Sequence, residues 1–464
     1  MLANPLSRKF PIPLLGLFVL TVGLSMLGVL TRSFDSIALF WPTNALLLAL
    51  LVRRGQPVGP MSWVVMLCGM LVVDGLRATP WHISLAMNLF NLAQVLTGWL
   101  ILRRQPYHYL RLKHPMGLVP LFLAITGGAL LSATLFGLFS GRMGIDMNWF
   151  AEEFCAGLLL TPLVLCAPAK PWRMLKAFQA RLGSKDALSL VAWLLSLYLM
   201  LVGGGPGAIV FPLLPLLWCA IRYRPFQVAL LCSISGGLEI VMIASDIAHF
   251  GLATDSNLNS LASARLGIAI LALGPLGVAS AYTANRKLRR RLTYRADHDA
   301  LTGVLNRAAL VKRVTGMLHQ RRQQDADVAS LLLLDIDHFK SINDQHGHAM
   351  GDDVLKTFAK VLERQVRRED LVARFGGEEF VVVLPGLTRK AALQLAERLR
   401  AEVEQTPFQL DPSAALRVTV SIGVSTLAPN HNASPLDHAL SLADAALYQA
   451  KRSGRNRVVP AEDD

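Results

Sequence analysis

Two carboxylate clusters stand about forty residues apart in this chain, Asp335-Ile336-Asp337 and Gly376-Gly377-Glu378-Glu379-Phe380. The first closes a short apolar run, Leu331-Leu332-Leu333-Leu334, which reads as a buried strand delivering a carboxylate to its tip. The second lies between the apolar runs Val372-Ala373-Arg374-Phe375 and Phe380-Val381-Val382-Val383-Leu384. That pattern is a hairpin whose glycines supply the turn and whose glutamates stand at the tip. A first strand lying beside the hairpin brings Asp335 and Glu378 together. Converging carboxylates without Cys or His suit Mg²⁺, which keeps coordination positions for substrate phosphates. The chemistry indicated is phosphoryl transfer on a nucleotide.

Elements must position these groups. The order read from periodicity is helix 300–323, strand 329–335, helix 339–346, helix 351–368, hairpin 372–384, helix 388–405, strand 416–424 and helix 436–453. This alternation predicts a mainly antiparallel sheet covered by helices. The turn Asp337-His338-Phe339-Lys340 joins a strand to a helix, where backbone N–H groups hold phosphate and Lys340 adds positive charge. His346 and His348 have metal-like spacing, but a Gly-rich helix junction favours a structural role for them.

Five spaced blocks resemble the GGDEF diguanylate cyclases, with Glu in the third place of the signature. They are Asp299-Ala300-Leu301-Thr302-Gly303-Val304-Leu305-Asn306-Arg307, Asp335 to Asp344, Gly347-His348-Ala349-Met350-Gly351-Asp352, the Gly-Gly-Glu-Glu-Phe hairpin, and Lys451 to Asn456. The resemblance implies a palm-like α+β fold shared with class III nucleotide cyclases. It implies Mg²⁺, or Mn²⁺ in its place, held by Asp335, Glu378 and the Ile336 carbonyl, with Glu378 also the proposed catalytic base. It assigns substrate contacts to Phe339, Lys340, Lys451 and Arg455, and guanine readout to Asn343 and Asp352. An Asp accepting from guanine N1 and N2 selects GTP, because adenine presents the wrong pattern there. Arg367-Arg368-Glu369-Asp370 matches an RxxD product-inhibition site, with Arg367 and Asp370 as readers and Arg398 as a second contact. The product contains two GTP units, so the family implies a homodimer with GTP as substrate and cyclic di-GMP as product and inhibitor. No EAL-type stretch is present, and phosphodiesterase activity is not expected.

Composition separates the chain into halves. Of its 464 residues 53% are hydrophobic and only 17% charged, and residues 1–295 hold nearly all the long apolar runs. The net charge of +14 is equally local: residues 1–295 carry 25 Lys and Arg against 9 Asp and Glu, the remainder 21 against 23. The basic excess therefore belongs with membrane lipid, and nucleic-acid binding is not indicated. Cys68, Cys155, Cys166, Cys219 and Cys232 lie in apolar segments without CxxC spacing, so neither a disulfide frame nor a metal site is expected. The first apolar segment, Phe10 to Leu30, is too long for a cleavable signal peptide.

Ten spans are read at 10–30, 37–52, 58–73, 81–102, 115–140, 149–168, 187–202, 208–221, 226–245 and 261–282, several of them short enough that eight is an alternative. With ten, Arg8-Lys9, Arg53-Arg54, Arg103 to Lys113, Lys170 to Lys185, Arg222-Arg224 and Arg286 to Arg295 share one side, opposite Arg32, Arg77 and Arg142. That asymmetry places both termini in the cytoplasm, and the resemblance implies a multi-pass protein of the bacterial inner membrane. Phe40-Trp41-Pro42-Thr43-Asn44 and Trp149 to Pro162 resemble membrane-associated sensor (MASE-type) regions found before GGDEF domains, with an unassigned sensory ligand. Glu152, Glu153, Glu239 and Arg265 are ionisable groups within spans; they mark ligand sensing, or else Glu152 and Glu153 lie near the outer interface and Arg265 pairs with an acid inside the bundle.

The expected organisation is a multi-span α-helical membrane domain at 1–283, a signalling helix at 284–298 and the palm-like domain at 299–464. Leu288 and Leu292 form a minimal dimer seam on the basic helix Arg286 to Leu292. Two rival readings remain: a catalytically silent binder of GTP or cyclic di-GMP, and a transporter. The retained acids weigh against the first. The lack of an internal repeat weighs against the second.

Overall fold

The computed structural model describes residues 12–30, 41–55, 58–169, 184–245, 258–322, 329–411, 414–427 and 434–462. Arg8-Lys9, Arg32, Phe40 and most of the basic loop after Lys170 fall outside them. The chain divides into two compact units, Met1–Lys287 and Leu288–Asp464.

The first unit is helical: α1 (Leu14–Leu30), α2 (Thr43–Arg54), α3 (Pro60–Gly75), α4 (Trp81–Leu102), α5 (Leu118–Phe139), α6 (Met147–Cys166), α7 (Ser184–Gly203), α8 (Leu213–Arg222), α9 (Pro225–Ala244) and α10 (Leu258–Asp297). A helix therefore stands at every expected span. Five are both long and apolar enough to cross a membrane, namely α4, the segment Pro115–Phe139, α6, α9 and Leu261–Asp297. Four more apolar helices have 10–17 residues. Proline and glycine set several boundaries: Gly55 closes α2 in the left-handed region and Pro60 opens α3. Leu47, Met66, Val95, Ala129 and Leu158 are fully buried, while Leu15 and Leu214 are each 75% exposed. Apolar side chains inside and outside alike are the pattern of helices solvated by hydrocarbon.

The second unit is a six-stranded sheet in the order β1-β3-β4-β2-β7-β8. Its elements are β1 (Leu305–Asn306), α11 (Arg307–Arg322), β2 (Ala329–Ile336), α12 (Phe339–His346), α13 (His348–Gln365), β3 (Leu371–Gly376), β4 (Glu379–Pro385), α14 (Arg389–Gln405), β5 (Phe408–Asp411), β6 (Ala414–Leu416), β7 (Val420–Leu427), α15 (Pro435–Arg452) and β8 (Val458–Pro460). The four central strands are antiparallel, and β1 and β8 join the two edges in parallel. Strand β2 is buried along its whole length, which explains its unbroken leucine run. Leu332, Leu334 and Ile336 pack with α13 and α14, whereas Leu331 and Leu333 pack with α11 and α15.

Three departures from the sequence reading have local causes. The helix expected from residue 300 begins at Arg307, because Asp299 accepts hydrogen bonds from Thr302 N (2.9 Å) and Thr302 Oγ1 (2.7 Å) and closes a turn first. Helix α13 ends at Gln365, so Arg367 to Asp370 form a turn and not a helix end. The expected strand 416–424 begins at Val420, and residue 416 instead belongs to the separate antiparallel pair of β5 and β6.

Candidate active site

Strand period decides where Asp335 points. Odd residues of β2 face α15, and Asp335 extends that row beyond Leu331 and Leu333. On α15, Lys451 follows Leu447 by one turn, and its Nζ lies 2.7 Å from Asp335 Oδ2. Helix α15 comes this close because Gly423 of β7 has no side chain. A Cβ there would collide with Ala443 O and Leu447 N.

The hairpin brings the remaining acids. Asp335 pairs across the ladder with Glu379, the first residue of β4, and Glu378 occupies the β3–β4 turn. Burial pushes the Asp335 carboxyl above its ordinary range; Lys451 pulls it down, and Glu378 and Glu379 push it further up. Asp335 thus has one ammonium in contact and two further carboxylates within electrostatic reach, an imbalance a divalent cation would correct. Among the described residues no group of three or more His, Cys, Asp or Glu side chains is placed to hold a metal ion by itself. An oxygen set of Asp335, Glu378 and a main-chain carbonyl, completed by phosphate oxygens, still fits Mg²⁺.

Helix α12 starts at Phe339 behind His338, which adopts φ +57° and provides no side-chain cap. The first-turn amides of α12 therefore lack a capping partner from His338. Phe339 itself is buried, so what it can offer a ligand is backbone N–H, while Lys340 is exposed. Asn343 sits one turn along α12, and a Cβ on Gly351 of α13 would strike its Oδ1. That close approach brings Asn343 beside Gly351 at the start of α13, next in sequence to the exposed Asp352. Arg455 lies in the loop after α15, at φ +62° and followed by Asn456 at φ +46°. Two successive non-glycine residues in the left-handed region mark a backbone held by its surroundings.

Two groups have holding roles that the sequence reading did not give them, although it named Asp337 in the first carboxylate cluster and Arg374 in the hairpin. Asp337, 4% exposed, accepts from Thr419 Oγ1 (2.8 Å), Ser421 Oγ (2.7 Å) and Asn456 N (3.0 Å). It thereby fixes the loop carrying Arg455 to the end of β2. Arg374 donates through Nε and Nη2 to Gly377 O (2.9 and 2.7 Å) and through Nη1 to Asp299 Oδ1 (3.2 Å). It clamps the hairpin tip to the turn at Asp299. Burial works against ionisation of Asp299, yet hydrogen bonds from Thr302 and Arg374 outweigh it and hold the carboxyl low.

The RxxD turn is a separate place. Asp370 Oδ2 accepts from Arg367 N at 2.7 Å, and its Oδ1 is buried without a partner. Burial raises its carboxyl against the pull of that amide. Arg367 is exposed, and Arg398 on α14 donates to Gln365 O at 2.8 Å beside the same turn. His346 and His348 are both exposed at the α12–α13 junction.

The chain matches two family models: "Diguanylate cyclase, GGDEF domain" over residues 296–457 and "MASE1" over residues 12–286. The probable diguanylate cyclase DgcF of Escherichia coli O157:H7 is 32% identical over 456 residues, covering 96% of this chain and 93% of the relative. This chain belongs to the GGDEF diguanylate cyclase family, with a MASE1 membrane domain ahead of the catalytic one. DgcF of Escherichia coli strain K12 is 36% identical over 320 residues, covering 67% of this chain and 96% of the relative. Among solved structures, the coiled coil and GGDEF domain of DgcB from Caulobacter crescentus, in complex with c-di-GMP, is 31% identical over 38% of this chain and 92% of that one, with a TM-score of 0.35.

In the MASE1 unit the two stretches singled out in the sequence meet. Asn44 Nδ2 donates to Glu153 Oε1 and to Asn91 Oδ1, both at 2.9 Å, and Gln94 Nε2 donates to Glu153 Oε2 at 2.7 Å. Arg265 pairs with Glu152 at 3.9 Å.

Proposed function

We propose that this protein is a membrane-anchored diguanylate cyclase that condenses two GTP into cyclic di-GMP and two pyrophosphates. The supporting observation is the meeting of Asp335, Glu378, Glu379 and Lys451 at the end of the sheet, beside the α12 N-terminus. Mg²⁺, or Mn²⁺, held by Asp335, Glu378 and the Ile336 carbonyl would supply charge neutralisation at the phosphates and lower the pKa of the attacking hydroxyl. Backbone N–H groups at Phe339 and Lys340, with the Lys340, Lys451 and Arg455 cations, bind and orient the triphosphate. Asn343 and Asp352 read the guanine edge by hydrogen bonding.

In each step a 3′-hydroxyl of one GTP attacks the α-phosphorus of the other. A 3′-O–P bond forms, the bond to the β-phosphate oxygen breaks, and pyrophosphate leaves. The hydroxyl proton passes to Glu378 or to water. Two such steps close the ring, so two domains must face each other, each holding one GTP. Leu288 and Leu292, 54% and 55% exposed on one face of α10, offer a seam for that homodimer. Cyclic di-GMP bound at Arg367 and Asp370, with Arg398, would inhibit by holding the two sites apart. We place the catalytic half in the bacterial cytoplasm, where GTP is, and the MASE1 half in the inner membrane as the gate for an unidentified signal.

Glu378→Gln tests the site, since it keeps shape but removes a negative charge from the metal set. Cyclic di-GMP formation should fall by at least about 10²-fold with the fold retained, and wild-type turnover by this variant would refute the assignment.

A further inference from the structure

Among the described acidic side chains within the helices of the membrane unit, Glu239 on α9 is the one left unanswered. It is 4% exposed, and no described residue gives it a hydrogen bond or an ion pair. Glu152 has Arg265, and Glu153 has Asn44 and Gln94. Glu239 lines a cavity of about 20 Å³ whose other walls are mostly apolar, among them Leu216 of α8, Cys232 of α9 and Ile268 of α10. That volume holds one water molecule. Ser235, one turn back on α9, also lines it, and its Oγ accepts from Trp193 Nε1 at 2.8 Å, leaving its own O–H to point elsewhere.

An ionised carboxylate alone in such surroundings costs far more than taking up a proton. We propose that Glu239 is a proton-binding site, neutral in the structure described and exchanging its proton through the single-water cavity it shares with Ser235. The groups within electrostatic reach do not replace the missing partner. They are Cys232 on its own helix, Cys155 on α6 and, beyond Cys232, Cys219 on α8. The nearest cation on α10, Arg265, is committed to Glu152.

The position of the cavity gives the site a route to output. Ile268, Leu271 and Ala272 of α10 form one wall, and α10 runs on to Asp297 past Pro275, less than a turn beyond Ala272. Loss of the proton would require more water around the carboxylate than one molecule. The cavity must then widen, and α9 and α10 must separate at that level. Coupling of this movement to cyclic di-GMP synthesis rests on the function proposed above, whereas proton binding itself does not.

The test is pH-difference infrared spectroscopy on the full-length protein in lipid nanodiscs, for wild type, Glu239→Gln and Ser235→Ala. Wild type should show a protonated-carboxyl C=O band at neutral pH that disappears when the sample is made alkaline. Glu239→Gln should lack the band, and Ser235→Ala should shift its frequency. Gln is uncharged and nearly isosteric, so its melting temperature should match wild type at neutral pH; Glu239→Asp, which keeps the carboxyl, serves should Gln fail to fold. The absence of any Glu239-dependent band at all pH values would mean a permanently charged group and overturn the proposal. On the same samples, wild type should show a pH-dependent component of cyclic di-GMP synthesis that Glu239→Gln lacks. Identical pH profiles would overturn the coupling. A titrating band without any synthesis would refute the cyclase reading alone.

Discussion

At the scale of the residue, Arg374 joins parts of the site that are far apart in sequence. Its guanidinium holds Gly377 O at the hairpin tip and Asp299 in the turn before β1, so Glu378 hangs from a tip fixed at both sides. Displacement of a catalytic group by about 1 Å can cost about 10²-fold in rate. Arg374→Ala should accordingly lower cyclic di-GMP synthesis by roughly 10- to 100-fold while circular dichroism stays unchanged. It should also change stability in a pH-dependent way. The Asp299 carboxyl is held low in the folded state, so its contribution is present above the unfolded value near pH 4 and is lost as pH falls through the lower folded value. The melting-temperature gap between wild type and variant should be widest at neutral pH and close in acid. A gap that grows in acid would mean that Asp299 does not act through Arg374.

At the scale of the element, strands and turns divide the work. The β2 leucine run and the Gly-Gly-Glu-Glu hairpin were legible in the sequence because a buried central strand and a tight turn each leave a dense local pattern. The sequence pattern alone thus puts Asp335 and Glu378 at neighbouring strand ends. The holding roles of Asp337 and Arg374 could not be read that way, because the partners of Asp337 lie 82–119 residues off in sequence and Asp299, the carboxylate Arg374 holds, lies 75 off. The contact of α15 with β7 was hidden for the same reason, since it depends on what Gly423 lacks. The short parallel edges β1 and β8, of 2 and 3 residues, are below the length at which alternation shows. The RxxD turn also gained definition: Arg367 is exposed, while Asp370 is folded back on the turn, with one oxygen on Arg367 N and the other buried. Progress curves with added cyclic di-GMP should show strong inhibition of wild type and little inhibition of Arg367→Ala, each normalised to its own uninhibited rate. Equal fractional inhibition would leave the turn as ordinary charged surface.

At the scale of the whole molecule, the charge is distributed as a membrane requires, with the basic excess in the first 295 residues and near neutrality beyond them. Hydropathy made the helical half legible, yet helices of 10–17 residues do not by themselves distinguish a full crossing from a shorter insertion. The ten-span arrangement predicts that a reporter fused after Arg224 reads as cytoplasmic and one fused near Asn257 as external. The opposite reading at either position would overturn it. The central claim is the reaction itself, and it is tested by incubating the purified full-length protein with GTP and Mg²⁺ and following both nucleotides by chromatography. Cyclic di-GMP should appear at one molecule for every two GTP consumed, with pyrophosphate released and no product when Mg²⁺ is chelated. GTP left intact beside a folded, dimeric protein, or GTP consumed without cyclic di-GMP, would contradict the account.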